Sequence, residues 1–307
     1  MRTPRPISLP SGTATVLTSA QLRALGVSRG RSYSSDLMRP IRGVIAAPGL
    51  DPAATDTLLA AVRAILAEGH FLSRRTAAHE LGIPVRASGA IEVGAVRPRK
   101  PRRRAEIVGH QLRPGVLREL PQGPLWLPHP ADAWGLLAAV GDIGELVAAG
   151  DFLISGKSRC AAPACSLEEL EETALRFQGL RGIDQLKRAL PLLRTGVESP
   201  AESELRLVIV RAGLPTPQTS CAVETQGRVL YADLGYPDLR IAIEYDGAYH
   251  FDGGVHRARL DNERIEAMID AGWRVLRVTA LDLRDPRKFL QRLVAAIQER
   301  GAAILER

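Results

Sequence analysis

Two strand-like segments that carry acidic residues constrain the fold of this chain most. Apolar and polar residues alternate over residues 230–234 and again over 239–245, and Gly-Tyr-Pro-Asp at 235–238 separates the two segments. This is the pattern of two strands joined by a turn. Because strand side chains alternate between faces, the apolar residues of the second segment point to one side, whereas Glu244 and Asp246 point to the other.

A hairpin of these segments gathers carboxylates. Asp233 then lies on the face that carries Glu244 and Asp246. Carboxylates held close together repel one another and raise one another's pKa, and a hard divalent cation removes that cost. Mg²⁺ binds through one or two carboxylates and keeps several of its waters. The pattern therefore predicts a site for Mg²⁺, or Mn²⁺, with Asp233 and Glu244 as its ligands.

The length of the connection decides how far apart these two acids lie. A tight turn at 235–238 sets Asp233 opposite Arg240, which leaves Glu244 about four residues, or roughly 13 Å, farther along the strand. Joint ligation of one cation then requires a wider loop or a β-bulge. Bulges do occur beside active sites, but the sequence itself contains no sign of one.

The acidic strands belong to an ordered set of motifs. Asp233, the run Ile-Glu-Tyr-Asp-Gly at 243–247 and His250 resemble the PD-(D/E)xK nuclease superfamily. Within it, they are most similar to the very-short-patch-repair (Vsr-like) endonucleases and a related family of uncharacterised bacterial endonuclease domains. The likeness continues through three further segments, at 199–206, 259–264 and 272–279. Together these motifs cover roughly residues 199–300.

The resemblance implies a nuclease fold in which helices flank a short mixed sheet. It also implies metal-assisted hydrolysis of phosphodiester bonds, with Glu202 joining Asp233 and Glu244 in the site. His250 would act in proton transfer at the attacking water, and an imidazole with a pKa of about 6.5 suits that role. Two structural alternatives stay open: Ser199 and Glu202 have the spacing of a capping box, and His250 can be a core histidine between aromatic neighbours.

One position departs from the superfamily pattern. The E-x-K motif places lysine two residues after its glutamate, where this chain has Asp246, which can also simply close a turn before Gly247. Arg264, or Arg259, on a helix predicted at about 256–271 can supply the missing charge. Arginine is a planar fork that keeps its proton, whereas lysine can lose one. The replacement retains electrostatic stabilisation of phosphate but removes lysine as a general base.

The overall composition favours a globular protein with a polyanionic partner. The chain is 45% hydrophobic and 24% charged, which is ordinary for a globular protein. It contains no run of about 18 uncharged apolar residues, so we expect no transmembrane helix. We expect no signal peptide, and three cysteines are too few for a disulfide framework or a zinc site. These features favour a reducing cytoplasm. A formal charge of +7 favours nucleic acid as partner.

The first 50 residues predict a small unit that binds DNA. Thr18 and Ser28 are the expected N-caps of two short helices at 19–25 and 29–38, and a strand follows at 41–47. This order is the layout of a winged helix-turn-helix and resembles the N-terminal domain of AbiEi-like type IV antitoxins.

On that interpretation the second helix meets DNA through Arg29, Arg31 and Ser32, and Arg42 lies on the wing. The alternative is a small helical cap whose arginines are only solvated.

A run of positive charge separates two further predicted strands, at 91–96 and 106–112. Residues 97–104 (the basic loop) hold six cations in eight residues, and their prolines forbid a regular helix. Such runs bind phosphates through counterion release, independently of base sequence. The alternative is a solvated hairpin tip. The candidate phosphate contacts are Arg97, Arg99, Lys100, Arg102, Arg103 and Arg104.

The predicted fold class is α/β, and α+β overall, in four parts. A winged helix-turn-helix occupies 1–50, an antitoxin-like α+β domain 51–165, a helical connector 166–198 and the nuclease domain 199–307. The leading hypothesis is a Mg²⁺-dependent endodeoxyribonuclease that acts on DNA in repair or in defence against foreign DNA. The alternative is an antitoxin-like transcriptional regulator, with a toxin or defence-system partner, whose nuclease fold is inactive. An RNase is a third reading.

Overall fold

The computed structural model describes residues 16–34, 37–46, 49–102, 104–120, 126–155, 162–247 and 254–305, without the side chains of 254–258 and 303–305. The chain divides into two compact units, residues 1–137 and 138–307. Helices and strands mix in both units, so the α+β expectation is confirmed. The finer division into four parts stays a prediction. Among the described residues, no helix is both long and apolar enough to cross a bilayer.

The first unit begins with two short helices between two paired strands. These elements are β1 Val16–Thr18, α1 Ser19–Ala24, α2 Arg29–Ser32 and β2 Val44–Ala46. The predicted caps are confirmed, because the side chains of Thr18 and Ser28 accept hydrogen bonds from the backbone of the first turns.

The second helix is much shorter than the predicted 29–38. Ser32 is its last residue, and the Arg39 guanidinium donates to the carbonyl oxygens of Ser32 and Ser34 at 2.8 and 3.1 Å. Ser34 lies just beyond this end, and serine disfavours helix interiors because its side chain competes for backbone hydrogen bonds.

The remainder of the first unit is built on a three-stranded sheet. Its elements are α3 Thr55–Arg63, β3 His70–Leu72, α4 Arg74–Glu80, β4 Ile91–Val96, β5 Ile107–Leu112 and α5 Pro130–Leu137. The strand order is β3-β4-β5, in which β3 and β4 are antiparallel and β4 and β5 are parallel. The two predicted strands are confirmed. Because they are parallel, the basic loop is a crossover, and the hairpin-tip alternative is wrong.

The second unit opens with helices and then forms a four-stranded sheet. The helices are α6 Ile143–Ser155, α7 Leu167–Arg176, α8 Ile183–Ala189 and α9 Pro200–Arg211. The strands are β6 Gln218–Thr225, β7 Arg228–Tyr236, β8 Ile241–Asp246 and β9 Arg274–Thr279. The remaining helices are α10 Gly254–Asp270, α11 Ala280–Arg284 and α12 Arg287–Leu305.

This sheet is mixed and covered on both faces. Its order is β6-β7-β8-β9, with β8 and β9 parallel and the other pairs antiparallel. On one face, Leu205 of α9 and Phe289 of α12 pack with Ile243. On the other face, Met268 of α10 packs with Ala242. The expected short mixed sheet flanked by helices is therefore present, and each fully buried side chain of this kind contributes about 1.5–3 kcal/mol.

Candidate active site at a fork in the sheet

The strands β7 and β8 pair over only three residues and then separate. Their pairing reaches Leu234 opposite Ile243, after which β7 continues along β6 and β8 continues along β9. We call the resulting gap the fork. Asp233 and Glu244 are the first residues beyond this pairing on β7 and β8, so the two predicted ligands lie where the two prongs begin to separate.

This register corrects the expectation of a tight turn. β7 extends to Tyr236, and a short 3-10 turn over Pro237–Leu239 leads to Arg240, whose φ is +50°. Tyr236 therefore pairs with Ile241. The offset of four residues between the two acids was wrong, because the connection comprises residues 237–240 and so lies two residues later than the expected turn at 235–238.

Asp233 also interrupts the alternation of its strand. Residues two apart in a strand normally share a face, yet Ala232 packs on the face of α10 and Leu234 packs on the face of α9. The β6–β7 register skips this position: Thr219 pairs with Leu234 and Cys221 with Ala232, and Ser220 between them has a φ of +48°, which is uncommon for a residue other than glycine. The backbone is thus irregular at the acid, as strands often are beside active sites.

The Asp233 carboxylate spans the fork. Its Oδ2 atom accepts a hydrogen bond from the backbone N–H of Tyr245 at 2.7 Å. This bond joins the two prongs at the point where the backbone ladder between them has ended. The orientation of Asp233 is therefore set by the chain of the neighbouring strand.

Arg264 of α10 joins the same two prongs from another direction. One terminal nitrogen donates to Glu244 Oε2 at 2.6 Å and the other donates to the carbonyl oxygen of Tyr231 at 2.9 Å. Glu244 is buried and the Arg264 side chain is 33% exposed. The structure thus brings the predicted cation to one of the predicted ligands. Arg259 instead pairs with Glu263 on the exposed side of α10.

Glu202 lies in the first turn of α9, close to Asp233. The Ser199 hydroxyl accepts from the Glu202 N–H at 3.2 Å, and Glu202 Oε2 accepts from the N–H of Glu198 at 2.9 Å. The predicted capping box is therefore only half formed. The Glu202 carboxylate accepts from the N–H of Glu198, one residue before the N-cap Ser199, and not from that of Ser199. Burial, together with the negative charge of Asp233, raises the pKa of Glu202 to about 7. The two acids are close enough to repel each other.

Asp246 pairs with a residue that the sequence did not single out. Its Oδ2 atom accepts a hydrogen bond from a terminal nitrogen of Arg277 on β9. Arg277 is also the register partner of Glu244. Asp246 is the last residue of β8 and belongs to an ion pair; the residues after Gly247, where a turn would continue, lie outside the described residues.

These side chains leave an excess of negative charge around the fork. Four carboxylates (Glu202, Asp233, Glu244 and Asp246) and two guanidinium groups (Arg264 and Arg277) carry a net charge of −2 when all are ionised. A hard cation suits such a donor set. Over the described ranges, no three His, Cys, Asp or Glu side chains are arranged as metal ligands. A cation here would rely on one or two carboxylates and on water. The predicted proton-transfer residue, His250, lies outside the described residues.

A buried polar cluster fixes the helix that carries Glu202. Asp151 of α6 accepts hydrogen bonds from the Ser203 hydroxyl at 2.7 Å and from Arg206 at 2.6 Å. Its other oxygen accepts from the backbone N–H of Arg194 at 2.7 Å. Burial raises the pKa of Asp151, although the charge of Arg206 opposes this effect. This cluster could not be predicted from the sequence, because its partners come from distant segments.

The predicted DNA contacts of the first helices differ in accessibility. Arg29 and Arg42 are exposed and Arg31 is partly buried. Ser32 was a wrong candidate: it is buried, and its hydroxyl donates to the carbonyl oxygen of Arg29 at 2.7 Å.

The basic loop has a fixed backbone and exposed cations. Gln111 Nε2 donates to the carbonyl oxygen of Arg99 at 2.6 Å, and His70 Nε2 lies 3.0 Å from that of Lys100. The side chains of Arg97, Arg99, Lys100 and Arg102 are exposed.

The end of the loop joins the segment before β2. Arg104 is partly buried and donates to the carbonyl oxygen of Arg42. Arg103 lies outside the described residues. Two of the predicted DNA-binding segments of the first unit are therefore in direct contact.

Comparison with known proteins gives relatives without an assigned activity. No family model matches the chain. Two uncharacterised proteins of Mycobacterium tuberculosis, MT2308 of strain CDC 1551 and Rv2248 of strain H37Rv, are each 30% identical to it over 131 residues. The match covers 42% of this chain and 48% of each relative, so the chain spans about half the length of the curated relatives it matches.

Proposed function

We propose that the second unit is a Mg²⁺-dependent endonuclease that hydrolyses DNA phosphodiester bonds. The observation that carries this proposal is the fork, where Asp233 and Glu244 directly follow the last paired residues of two separating strands and Asp233 accepts a hydrogen bond from the N–H of Tyr245, next to Glu244. Glu202 adds a third carboxylate beside Asp233. Acids gathered at a break in a sheet, with arginines among them, are suited to hold a cation and a phosphate together.

The residues present fit a hard divalent cation. The pKa of Glu202 is raised to about 7, in part by the charge of Asp233, which indicates negative charge that a cation would neutralise. Asp233 and Glu244 would hold it. When bound, such an ion polarises a phosphoryl oxygen and lowers the pKa of a bound water. Mn²⁺ fits the same oxygen ligands.

The other side chains of the fork act on the substrate and its protons. Arg264 presents a planar guanidinium beside Glu244 and stabilises the charge that develops on the phosphate. Glu202, with a pKa of about 7, can take up or release a proton at its carboxylate near neutral pH. His250 as a further proton-transfer group stays a prediction.

The first unit would hold the DNA. Its exposed cations, on the basic loop and at Arg29 and Arg42, can neutralise phosphates regardless of base sequence. A winged helix-turn-helix over 1–50 and a role in repair or in defence against foreign DNA belong to the same proposal.

The second candidate is a DNA-binding regulator with an inactive nuclease fold. The observation that favours it is the pair of Asp246 and Arg277, since an acid occupies the place where the E-x-K motif has its lysine. The pairing of Glu244 with Arg264 also competes with metal ligation by that glutamate.

Cleavage assays separate the two candidates. The full chain is incubated with supercoiled DNA, linear DNA and RNA in Mg²⁺, in Mn²⁺ and in EDTA. We expect metal-dependent DNA cleavage that Asp233→Asn and Glu244→Gln abolish. The matched control is Asp238→Asn, an exposed acid of the 3-10 turn between the same strands. DNA binding without cleavage in any metal would support the regulator, and cleavage of RNA alone would overturn both candidates.

A further inference from the structure

We propose that Arg277, oriented by Asp246, contacts a phosphate group of the nucleic acid at the fork. This inference rests on the proposed function and adds to it a residue and its role. Arg277 is a phosphate-contacting residue in this proposal, and Asp246 is a positioning residue.

The position of Arg277 follows from the parallel pairing of β8 with β9. Arg277 is the register partner of Glu244, and register partners on neighbouring strands point to the same face. The apolar neighbours confirm this geometry, because Ile243 and its partner Leu276 both pack on the opposite face. The Arg277 side chain therefore leaves the sheet directly beside the carboxylate of Glu244.

Asp246 then fixes where the guanidinium points. It lies two residues after Glu244 on β8, so it projects from the same face, and its carboxylate accepts from a terminal nitrogen of Arg277. This ion pair joins neighbouring strands. It aligns the guanidinium along the end of β8, next to the fork.

Exposure distinguishes Arg277 from Arg264. The Arg277 side chain is 48% exposed and that of Arg264 is 33% exposed. Arg264 has one N–H of each terminal nitrogen bonded to the protein, to Glu244 and to the carbonyl of Tyr231, so fewer of its donors remain for a phosphate. A guanidinium has five N–H donors in a planar fork that matches phosphate oxygens. Arg277 can thus keep its bond to Asp246 and donate to a phosphate as well.

A stabilising role alone does not account for this pair. Ion pairs between exposed side chains contribute about 0–1 kcal/mol, and half of Arg277 is in contact with solvent. The same strand carries a suitable comparison: Arg274 is 45% exposed and lies 3.4 Å from Glu299. Its register partner is Ile241, so it lies at the end of β9 away from Glu244.

The test compares Arg277→Ala with Arg274→Ala in the full chain. Binding of a short fluorescent DNA duplex is measured by anisotropy in EDTA over a salt series, and nicking of supercoiled DNA is measured in Mg²⁺. Arg277→Ala should weaken binding about tenfold, reduce the salt slope by about 1 and slow nicking about 100-fold. Arg274→Ala should change each quantity less than about twofold.

A rescue variant separates phosphate contact from simple loss of an ion pair. In Asp246→Lys/Arg277→Ala, the lysine places a cation where the guanidinium was, but the ion pair is gone. We expect DNA affinity and nicking to recover to within about fivefold of the wild type, since an ammonium also binds phosphate as a point charge. Arg277→Gln replaces Arg277→Ala if thermal melting shows that the alanine variant is unfolded.

Each outcome decides the inference. Equal effects of the Arg277 and Arg274 variants on binding and nicking would overturn it while leaving the nuclease proposal intact. Arg277-dependent binding without nicking would support it and refute the nuclease. No binding and no cleavage by the wild type would refute both. If DNA affinity and nicking do not recover in the double variant, the role of Arg277 is limited to its ion pair with Asp246, and the inference is overturned.

Discussion

The guanidinium of Arg264 lies 2.6 Å from the carboxylate of Glu244 and also bonds the carbonyl oxygen of Tyr231 on the other prong of the fork. One side chain of α10 therefore holds together two strands whose own ladder ends at Leu234 and Ile243. The same contact leaves Glu244, which is buried, with a positive partner. Arg264 is thus both a brace of the sheet and a charge of the candidate site.

Removal of Arg264 is expected to destabilise the second unit. Arg264→Ala leaves Glu244 buried without its guanidinium and should lower the free energy of unfolding by about 2–4 kcal/mol. The double variant Arg264→Ala/Glu244→Gln should recover part of that loss, because residue 244 is then neutral and no longer needs a positive partner. Urea unfolding of the full chain measures both. Equal losses in the single and double variants would show that the two side chains are not coupled.

Mg²⁺ should stabilise the folded protein if it binds at the fork. A cation that binds only the folded state raises the free energy of unfolding by about 1.4 kcal/mol at ten times its Kd. We expect Mg²⁺ to raise the melting temperature of the wild type and of Asp238→Asn, and to leave that of Asp233→Asn unchanged. An equal rise in all three proteins would place the cation elsewhere.

The buried cluster around Asp151 should be essential for the stability of α9. Asp151→Ala leaves Arg206 buried without its carboxylate and should cost about 3–5 kcal/mol. Asp184→Asn, an exposed acid in the first turn of α8, is the control and should cost less than about 0.5 kcal/mol. Chemical denaturation measures the free energy of unfolding of both variants. A loss for Asp151→Ala as small as that of the control would contradict the role assigned to the cluster.

The first unit should lose stability as the pH falls below about 6.5. Burial, together with the charge of Arg74, lowers the pKa of His110 to about 3. Between these pH values the unfolded chain binds a proton at His110 that the folded chain does not. The free energy of unfolding therefore decreases as the pH is lowered, by up to about 1.4 kcal/mol for each pH unit.

Comparison of urea unfolding at pH 7.5 and pH 5 tests this sign. The loss in the wild type should exceed that in His110→Gln by about 2 kcal/mol. His79→Gln, which alters a side chain that is 77% exposed, should behave as the wild type. A wild-type loss no larger than that of His110→Gln would refute the assignment.

Neutralising the basic loop should weaken DNA binding for all sequences alike. Substitution of serine for Arg97, Arg99, Lys100 and Arg102 leaves the loop fixed, since backbone atoms make its bonds to Gln111 and His70. The salt slope should fall by about 0.9 for each cation that contacts a phosphate. The control is Lys187→Ser/Arg188→Ser, two exposed cations of α8. An unchanged slope would show that the loop does not contact DNA.

The sequence predicted the elements of the site better than their arrangement. Alternation alone identified β8 and placed Glu244 and Asp246 together, because a strand imposes a period of two on its own side chains. The register with β7 could not be predicted, since it depends on the 3-10 turn and on the positive φ of Arg240. β6 was missed, because Ala222 between its buried residues Cys221 and Val223 interrupts the alternation of apolar and polar residues.

Long-range partners were beyond prediction for a related reason. Arg277 lies beside Glu244 because a crossover through α10 aligns two parallel strands, and local patterns do not encode that alignment. Asp151 and Arg206 are 55 residues apart in sequence. Each looks like an ordinary charged residue of a helix until the two helices pack together.

A chain that leaves the end of β4 and enters the start of a parallel β5 must travel back along both strands. Arg97 bonds to Leu112 at the end of β5, and Arg104 lies opposite Ile107 at its start, so the described cations of the basic loop extend over about the length of that strand, roughly 20 Å. On each strand of duplex DNA, the phosphates advance about 3.4 Å per base pair along the helix axis. A double helix lying alongside would therefore extend for about six base pairs over that length, with the phosphates on its near side facing the cations.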